Sequence, residues 1–282
     1  MTHSLSPIEI DRVVDAALAE DIGRGDLTSD AVLPVEARLK AAITAREDMV
    51  VCGLPVAQRV FQRLDPTVSF EAIHADGDHV GPGAVLAWVE GSARAVLCGE
   101  RTALNILQTL SGIATTAQAY AKEVEGTGAV VLDTRKTLPG LRVLSKYATA
   151  TGGATNHRMR LDDAVLIKDN HIAAAGSVAE AVRRCLARGL ADIEVECDTV
   201  EQAEEALDAG ARHLLLDNMS AATLKTVVPR LRARIAQPIK LEASGGVTLK
   251  NLRAIATTGV DTISTGRITQ GAPAVDIGLD YG

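Results

Sequence analysis

From residue 129 onward the chain alternates short apolar runs with stretches of helical period. The runs are VVLDT from Val130, AVLIKDN from Ala164, IEVEC from Ile193, HLLLDN from His213, IKLEAS from Ile239 and TISTG from Thr262. Strands that are apolar nearly throughout suit burial on both faces, so the pattern predicts repeated βα units and a parallel sheet or barrel. The intervening segments carry helix punctuation. In TVEQAEEALDAG, Thr199 can cap the start, Val200, Ala203 and Leu207 share a face, and Gly210 can end the helix. TLKNLRAIATTG repeats the plan from Thr248, through Leu249, Leu252, Ile255 and Ala256, to Gly259. Six strands of this type fall short of a full (β/α)8 barrel, which points to an irregular, incomplete barrel of six to seven strands, with a doubly wound sheet as the alternative.

Residues 1–112 have a different pattern. The alternation in ARLKAAITAR and TVSFEAIHA, the Gly/Pro turn in GDHVGPGAVLAWVEG and a helical stretch from Ser92 to Leu110 predict an α+β unit with an antiparallel sheet. The simplest organisation is two domains, 1–112 and 113–269, with the tail 270–282 folding back on the first.

Composition narrows the function classes. Aromatics are only 2% of the 282 residues, too few for a base-stacking platform. A net charge of -7 disfavours nucleic acid or an anionic membrane as a partner. Four cysteines (Cys52, Cys98, Cys185 and Cys197) form no CxxC pair, so they read as thiols in a reducing cytoplasm. The N-terminal stretch is acidic and amphipathic where a signal peptide would be apolar, and a soluble cytoplasmic protein is expected.

In βα architectures, functional side chains gather at the carboxyl ends of strands. Those positions here hold Asp133-Thr134-Arg135-Lys136, Lys168-Asp169-Asn170-His171, Glu196, Asp217-Asn218, Glu242 to Gly246, and Gly266. Helix N-caps also favour Asp, Asn and Ser, so a capping role stays open for Asp217, Asn218 and Ser244. Capping does not explain Arg135, Lys136 or Lys168, because the helix macrodipole opposes a cation at a helix start. Between Thr134 and His171 this acidic chain carries a local net charge of +4, with His157 and Arg158 following a Gly pair. Such a cluster asks for a small polyanion, a dicarboxylate or a phosphoester. Glu196 and Asp217 end neighbouring strands and are suited to Mg2+, directly or through water. Ser244, Gly245 and Gly246 are read as opening a helix whose backbone N–H groups face a phosphate, although a Gly pair also serves a plain turn.

Taken together, EDIGRGDLTS, GERTALNILQTLSGIAT, DTRKTLPGLRVLSKYA, GGATNHR, LIKDNH, EVEC, LLLDNM and EASGGV resemble the quinolinate phosphoribosyltransferase family, across nearly the whole chain. The resemblance implies an N-terminal α/β sandwich followed by an irregular barrel. It also implies transfer of phosphoribose from 5-phosphoribosyl-1-pyrophosphate to quinolinate, with loss of carbon dioxide, in a Mg2+-dependent reaction that uses no organic cofactor. By the same resemblance, Arg135, His157, Arg158 and Lys168 bind quinolinate, and Arg101 reaches the partner's site in a homodimer or higher homo-oligomer. Lys136, Glu196, Asp217, Ser244, Gly245, Gly246 and Gly266 then serve the sugar donor, with Lys136, Glu196 and Asp217 catalytic. Gln270 stands where many relatives have His, and neither it nor Arg267 receives a role. Three other readings of the residues stay open. They are a Schiff-base aldolase or decarboxylase on Lys136 or Lys168, a paralogue using another acceptor, and a module that only binds a phosphorylated metabolite.

Overall fold

The computed structural model describes residues 5–281; residues 1–4 and 282, the outermost positions of the expected domains, lie outside the described residues. The chain forms two compact units: residues up to 118, 137–153 and from 269 on make the first, and residues 119–136 and 154–268 the second. No single cut separates them, because residues 137–153 lie inside the barrel stretch of the sequence yet belong to the first unit.

In the first unit, α1 (Pro7–Ile22) and α2 (Leu27–Val32) precede β1 (Arg38–Ala45), β2 (Met49–Val50) and α3 (Leu54–Leu64). They are followed by β3 (Ser69–Ala72), β4 (His79–Val80), β5 (Val85–Ser92), the long α4 (Ala93–Glu123) and, after a departure into the second unit, α5 (Arg142–Thr151). The main sheet is antiparallel, in the order C-terminal strand (Ile277–Tyr281), β1, β5, β3. Ile43 of β1, Leu86 of β5 and Phe61 of α3 are buried, each stabilising the fold by roughly 1.5–3 kcal/mol. Tyr147 of α5 donates its hydroxyl proton to Asp76 at 2.8 Å, and Asp76 also accepts the N–H groups of Gly53 and Leu54 at the start of α3.

Helix α4 outruns its sequence expectation, which ended it at Leu110. It continues through Ser111 and Gly112, two weak helix formers that serve packing. Ser111 is buried and its hydroxyl accepts the Cys52 N–H at 2.9 Å, while a Cβ on Gly112 would collide with the Pro273 carbonyl oxygen. Propensity at these positions yields to close backbone approach.

The second unit holds the six expected strands, β6 (Val130–Leu132), β7 (Leu166–Ile167), β8 (Glu194–Cys197), β9 (His213–Asp217), β10 (Lys240–Ser244) and β11 (Thr262–Ser264). Between them run α6 (Asp169–Ala175), α7 (Val178–Ala187), α8 (Val200–Asp208), α9 (Ala221–Arg234) and α10 (Leu249–Ala256). All pairings are parallel, in the order β6-β11-β10-β9-β8-β7. The doubly wound alternative fails, since strand order follows the chain from β7 to β11 and then reaches β6 without a reversal point. The barrel is incomplete because β6 and β7 stay unpaired with each other; a lone bridge from Leu132 to Thr155 extends the β6 edge. Thr199 caps α8, its hydroxyl accepting the Gln202 N–H at 3.2 Å, and Thr248 caps α10.

The four cysteines are free, Cys52 and Cys197 fully buried and Cys98 and Cys185 partly so. Among the described residues no helix is long and apolar enough to cross a membrane.

Candidate active site

At the carboxyl ends of the second unit's strands lies a cavity of about 240 Å³. It brings together Arg135, Lys136, His157, Arg158, Lys168, Glu196, Asp217 and Ser244, eight of the residues singled out in the sequence. Gly245, Gly246, Gly266 and Arg101 do not line it. Arg101 is exposed on α4 of the first unit, and Gln270 and Arg267 are exposed as well.

Most of these side chains arrive from strand ends, while His157 and Arg158 come from the irregular segment between α5 and β7. Lys168 stands at the N-cap of α6, against the helix dipole, and its ammonium pairs with the Glu196 carboxylate at 2.7 Å. Asp217, at the end of β9, has its carboxyl pushed up by partial burial and then by the carboxylates of Glu196 and Asp198, with Lys168 and Lys136 opposing. Arg158 is pushed down by burial and by the neighbouring guanidinium of Arg135. Two crowded guanidiniums and two crowded carboxylates therefore face one cavity, a setting that favours a bound anion on one side and a bound cation on the other.

The capping alternatives fail. Ser220 caps α9 and Thr248 caps α10, which leaves Asp217, Asn218 and Ser244 outside any helix start. The expectation that Ser244, Gly245 and Gly246 open a helix is corrected too: α10 begins only at Leu249. Gly245 and Gly246 have φ of +84° and +61°, which a right-handed helix cannot accommodate, so the segment is a turn.

Beneath the mouth lies a second polar layer that sequence reasoning left without a role. Glu194 of β8 and Glu242 of β10 are buried, and their carboxylates flank His157 Nε2 at 3.2 and 3.5 Å. His213 Nε2 lies 3.1 Å from Glu194, but without the alignment of a hydrogen bond. Burial opposes a charge on His157, yet its two carboxylate partners prevail and raise its pKa to about 9. A second ring proton competes with the Arg158 N–H, which points at Nδ1 from 2.8 Å. Two buried carboxylates outweigh that single neutral hydrogen bond, worth about 1 kcal/mol, so the ring is cationic. Burial pushes His213 down, the nearby cations Lys240 and His157 add to this, and the ring stays neutral. The ligand atoms of His157, Glu194 and Glu242 lie within 4.8 Å of one another, a spacing that could also coordinate a divalent metal.

Asp133 completes this layer. It is fully buried, and its carboxylate accepts the Asn156 side-chain amide and the His157 backbone N–H, both at 2.8 Å, which fixes the GGATNHR segment beside β6. A signal for Glu194 was present in the sequence, because Glu194 and Glu196 are two apart on one strand and must share a face. Asp133 and His213 gave no such signal.

Family models match the chain along nearly its whole length. The quinolinate phosphoribosyl transferase N-terminal domain matches residues 26–111 and the C-terminal domain residues 113–280. This chain belongs to the quinolinate phosphoribosyl transferase family. A probable nicotinate-nucleotide pyrophosphorylase [carboxylating] of Synechocystis sp. is 46% identical over 276 residues, covering 96% of this chain and 92% of its own. The nicotinate-nucleotide pyrophosphorylase [carboxylating] of Mycobacterium leprae is 40% identical, covering 98% and 99%. Among solved structures, the nicotinate-nucleotide pyrophosphorylase of Francisella tularensis superposes with a TM-score of 0.93 at 36% identity, covering 100% of this chain and 99% of its own. That of Ehrlichia chaffeensis gives 0.91 at 41%, covering 99% and 100%. The quinolinate phosphoribosyl transferase fold thus accounts for both units of this chain.

Proposed function

We propose that this protein transfers the phosphoribosyl group of 5-phosphoribosyl-1-pyrophosphate to quinolinate, giving nicotinate mononucleotide, pyrophosphate and carbon dioxide in NAD biosynthesis. The observation that carries the reading is the single cavity in which Arg135, Arg158, Lys168 and Lys136 face Glu196 and Asp217.

Quinolinate carries two carboxylates. Arg135, Arg158 and Lys168 bind them by charge-assisted hydrogen bonds, and His157 adds positive charge from the wall. Because Lys168 is already paired with Glu196, it links the acceptor to the carboxylate that serves the sugar. Lys136 offsets the charge of the leaving pyrophosphate, while Glu196 and Asp217 stabilise the positive charge that develops on the ribose. The pyridine nitrogen attacks the anomeric carbon as the bond to pyrophosphate breaks. Once quaternised, that nitrogen's positive charge stabilises the electron pair left on the neighbouring ring carbon when the carboxylate departs as carbon dioxide, and that carbon then takes up a proton. Ser244, Gly245, Gly246 and Gly266 receive the 5-phosphate; Ser244 lines the cavity and Gly245 and Gly246 follow it directly, while Gly266 stands two residues after Ser264, which also lines it.

Glu196 and Asp217 also suit Mg2+. Their oxygens are hard donors, and Asp217 is raised by burial and then by its carboxylate neighbours, which a cation would offset. When bound, Mg2+ supplies charge neutralisation for the pyrophosphate. The protein works without an organic cofactor, in the cytoplasm, where its free thiols are stable. It acts as a homodimer or higher homo-oligomer in which Arg101 reaches a partner's site; Arg101 is exposed and does not line its own chain's cavity, which supports this.

The test is an assay with quinolinate, 5-phosphoribosyl-1-pyrophosphate and Mg2+, following nicotinate mononucleotide and carbon dioxide, with nicotinate as control acceptor. Product from quinolinate only is expected; product from nicotinate instead moves the protein to a paralogous acceptor. Borohydride trapping of a lysine adduct would replace this mechanism with Schiff-base chemistry. Mixing inactive Arg101→Ala with inactive Lys136→Ala chains should restore activity, and failure to do so in proven mixed dimers removes the shared site.

A further inference from the structure

The backbone between β9 and α9 contains an unusual residue. Asn218 has φ +55°, one of two residues other than glycine in the left-handed region among those described. Its side-chain amide donates to Asp217 Oδ2 at 2.5 Å, and its backbone N–H donates to the Ser244 carbonyl at 2.9 Å. On the far side it meets Gly245. A Cβ at that position would collide with the Asn218 carboxamide and backbone nitrogen, so the missing side chain of Gly245 creates the space that Asn218 occupies. Asn218 caps no helix, since Ser220 does that for α9, and its left-handed backbone is unfavourable even for Asn. Positive φ turns the amide back over its own neighbour Asp217, an orientation that extended backbone would not provide.

We propose that Asn218 is a positioning residue that ties the Asp217 carboxylate and the Ser244–Gly245 turn into one unit, so that the two parts of the sugar-donor site hold a fixed separation. This rests on the donor site described under the proposed function. Asp217 serves the ribose end of the donor and the turn its 5-phosphate end, and these two elements have no covalent connection shorter than α9 and β10 together. Binding a ligand at both ends requires their spacing to be set beforehand, or part of the binding energy goes into setting it. Asn218 touches both elements, through its amide to one and through its N–H and its bulk to the other.

The experiment compares Asn218→Gly, Gly245→Ala and the double variant. Glycine accepts positive φ without cost, so Asn218→Gly removes the amide and leaves the turn foldable. Binding of 5-phosphoribosyl-1-pyrophosphate with Mg2+ is measured by calorimetry, and KM for both substrates by turnover. Asn218→Gly should weaken donor binding and raise its KM about tenfold, the loss of one hydrogen bond to a charged group, with KM for quinolinate within about twofold of the parent. Gly245→Ala, which displaces the same amide, should reproduce the effect, and the double variant should fall well short of the product of the two. Unchanged donor binding in Asn218→Gly, an equal rise in KM for both substrates, or multiplicative behaviour of the double variant overturns the proposal. A parent protein that binds the donor but does not convert quinolinate overturns the proposed reaction while leaving the Asn218 comparison intact; one that binds no donor overturns both.

Discussion

The barrel interior has two polar layers built on the same strands, and they differ in how their charges are completed. In the lower layer, Glu194 and Glu242 are buried and find their counter-charge within the chain, in the His157 imidazolium. In the upper layer, two residues further along β8, Glu196 has only a half-exposed Lys168 for a partner, and Asp217 is crowded by like charges. One strand thus carries a carboxylate whose counter-charge is buried with it and another whose counter-charge stands half-exposed at the mouth. The difference teaches where substrate belongs: a layer packed into the interior supports the fold, and a layer whose charges face a cavity is completed by what binds there.

Substitutions can break that division, the largest effect coming first. Lys136→Ala, in the upper layer, should lower kcat/KM by about 100- to 1000-fold, the usual cost of losing one charge that stabilises a transition state. Its denaturation midpoint should match the parent, as measured by guanidinium unfolding.

Glu242→Ala, in the lower layer, should do the opposite in kind. Removing one partner of a buried ion pair costs about 3–5 kcal/mol, so unfolding by denaturant should shift strongly before any kinetic role is asked of the variant. A midpoint near the parent's would mean that the Glu242–His157 contact does not support the fold.

The pH dependence of stability follows from the same pair of layers. His157 has its pKa raised from 6.5 to about 9, so its contribution to stability is complete below about pH 6.5 and is lost as pH rises through about 9. His213 is shifted down, so stability falls on its account as pH drops below the ordinary histidine range. His157→Gln should flatten the alkaline limb of a plot of stability against pH and leave the acid limb in place.

The smallest effect on stability sharpens the comparison. Asp217 is raised by burial and by Glu196 and Asp198, which means that its charge opposes folding. Asp217→Asn should therefore abolish turnover while raising the unfolding midpoint slightly, by under about 1 kcal/mol. A clear loss of stability would show that Asp217 belongs with the buried layer that supports the fold.

Much of this was legible from residues alone. The six strands of the barrel appear as six apolar runs, because a strand buried on both faces admits few polar residues before its end. The mouth residues were legible because strand ends are predictable and cations there go against the helix dipole, as Lys168 shows. The lower layer was not. Asp133 and His213 look like ordinary strand-terminal polar residues until four separate segments converge on one interior. The sequence leaves Gly245 open between a helix start and a plain turn, because a Gly pair after a strand has both uses, and only the backbone angles decide for the turn.

What the sequence determined by itself was the order of βα units, the faces they bury and the chemistry collected at their ends, since these depend on neighbours along the chain. What only the tertiary structure decided was the completion of charge. It set Glu194 and Glu242 around His157, left Asp217 beside Glu196, and placed residues 137–153 with the first unit. Those outcomes depend on burial and on distances between segments far apart in sequence, and electrostatic energy in a low-dielectric interior varies with both.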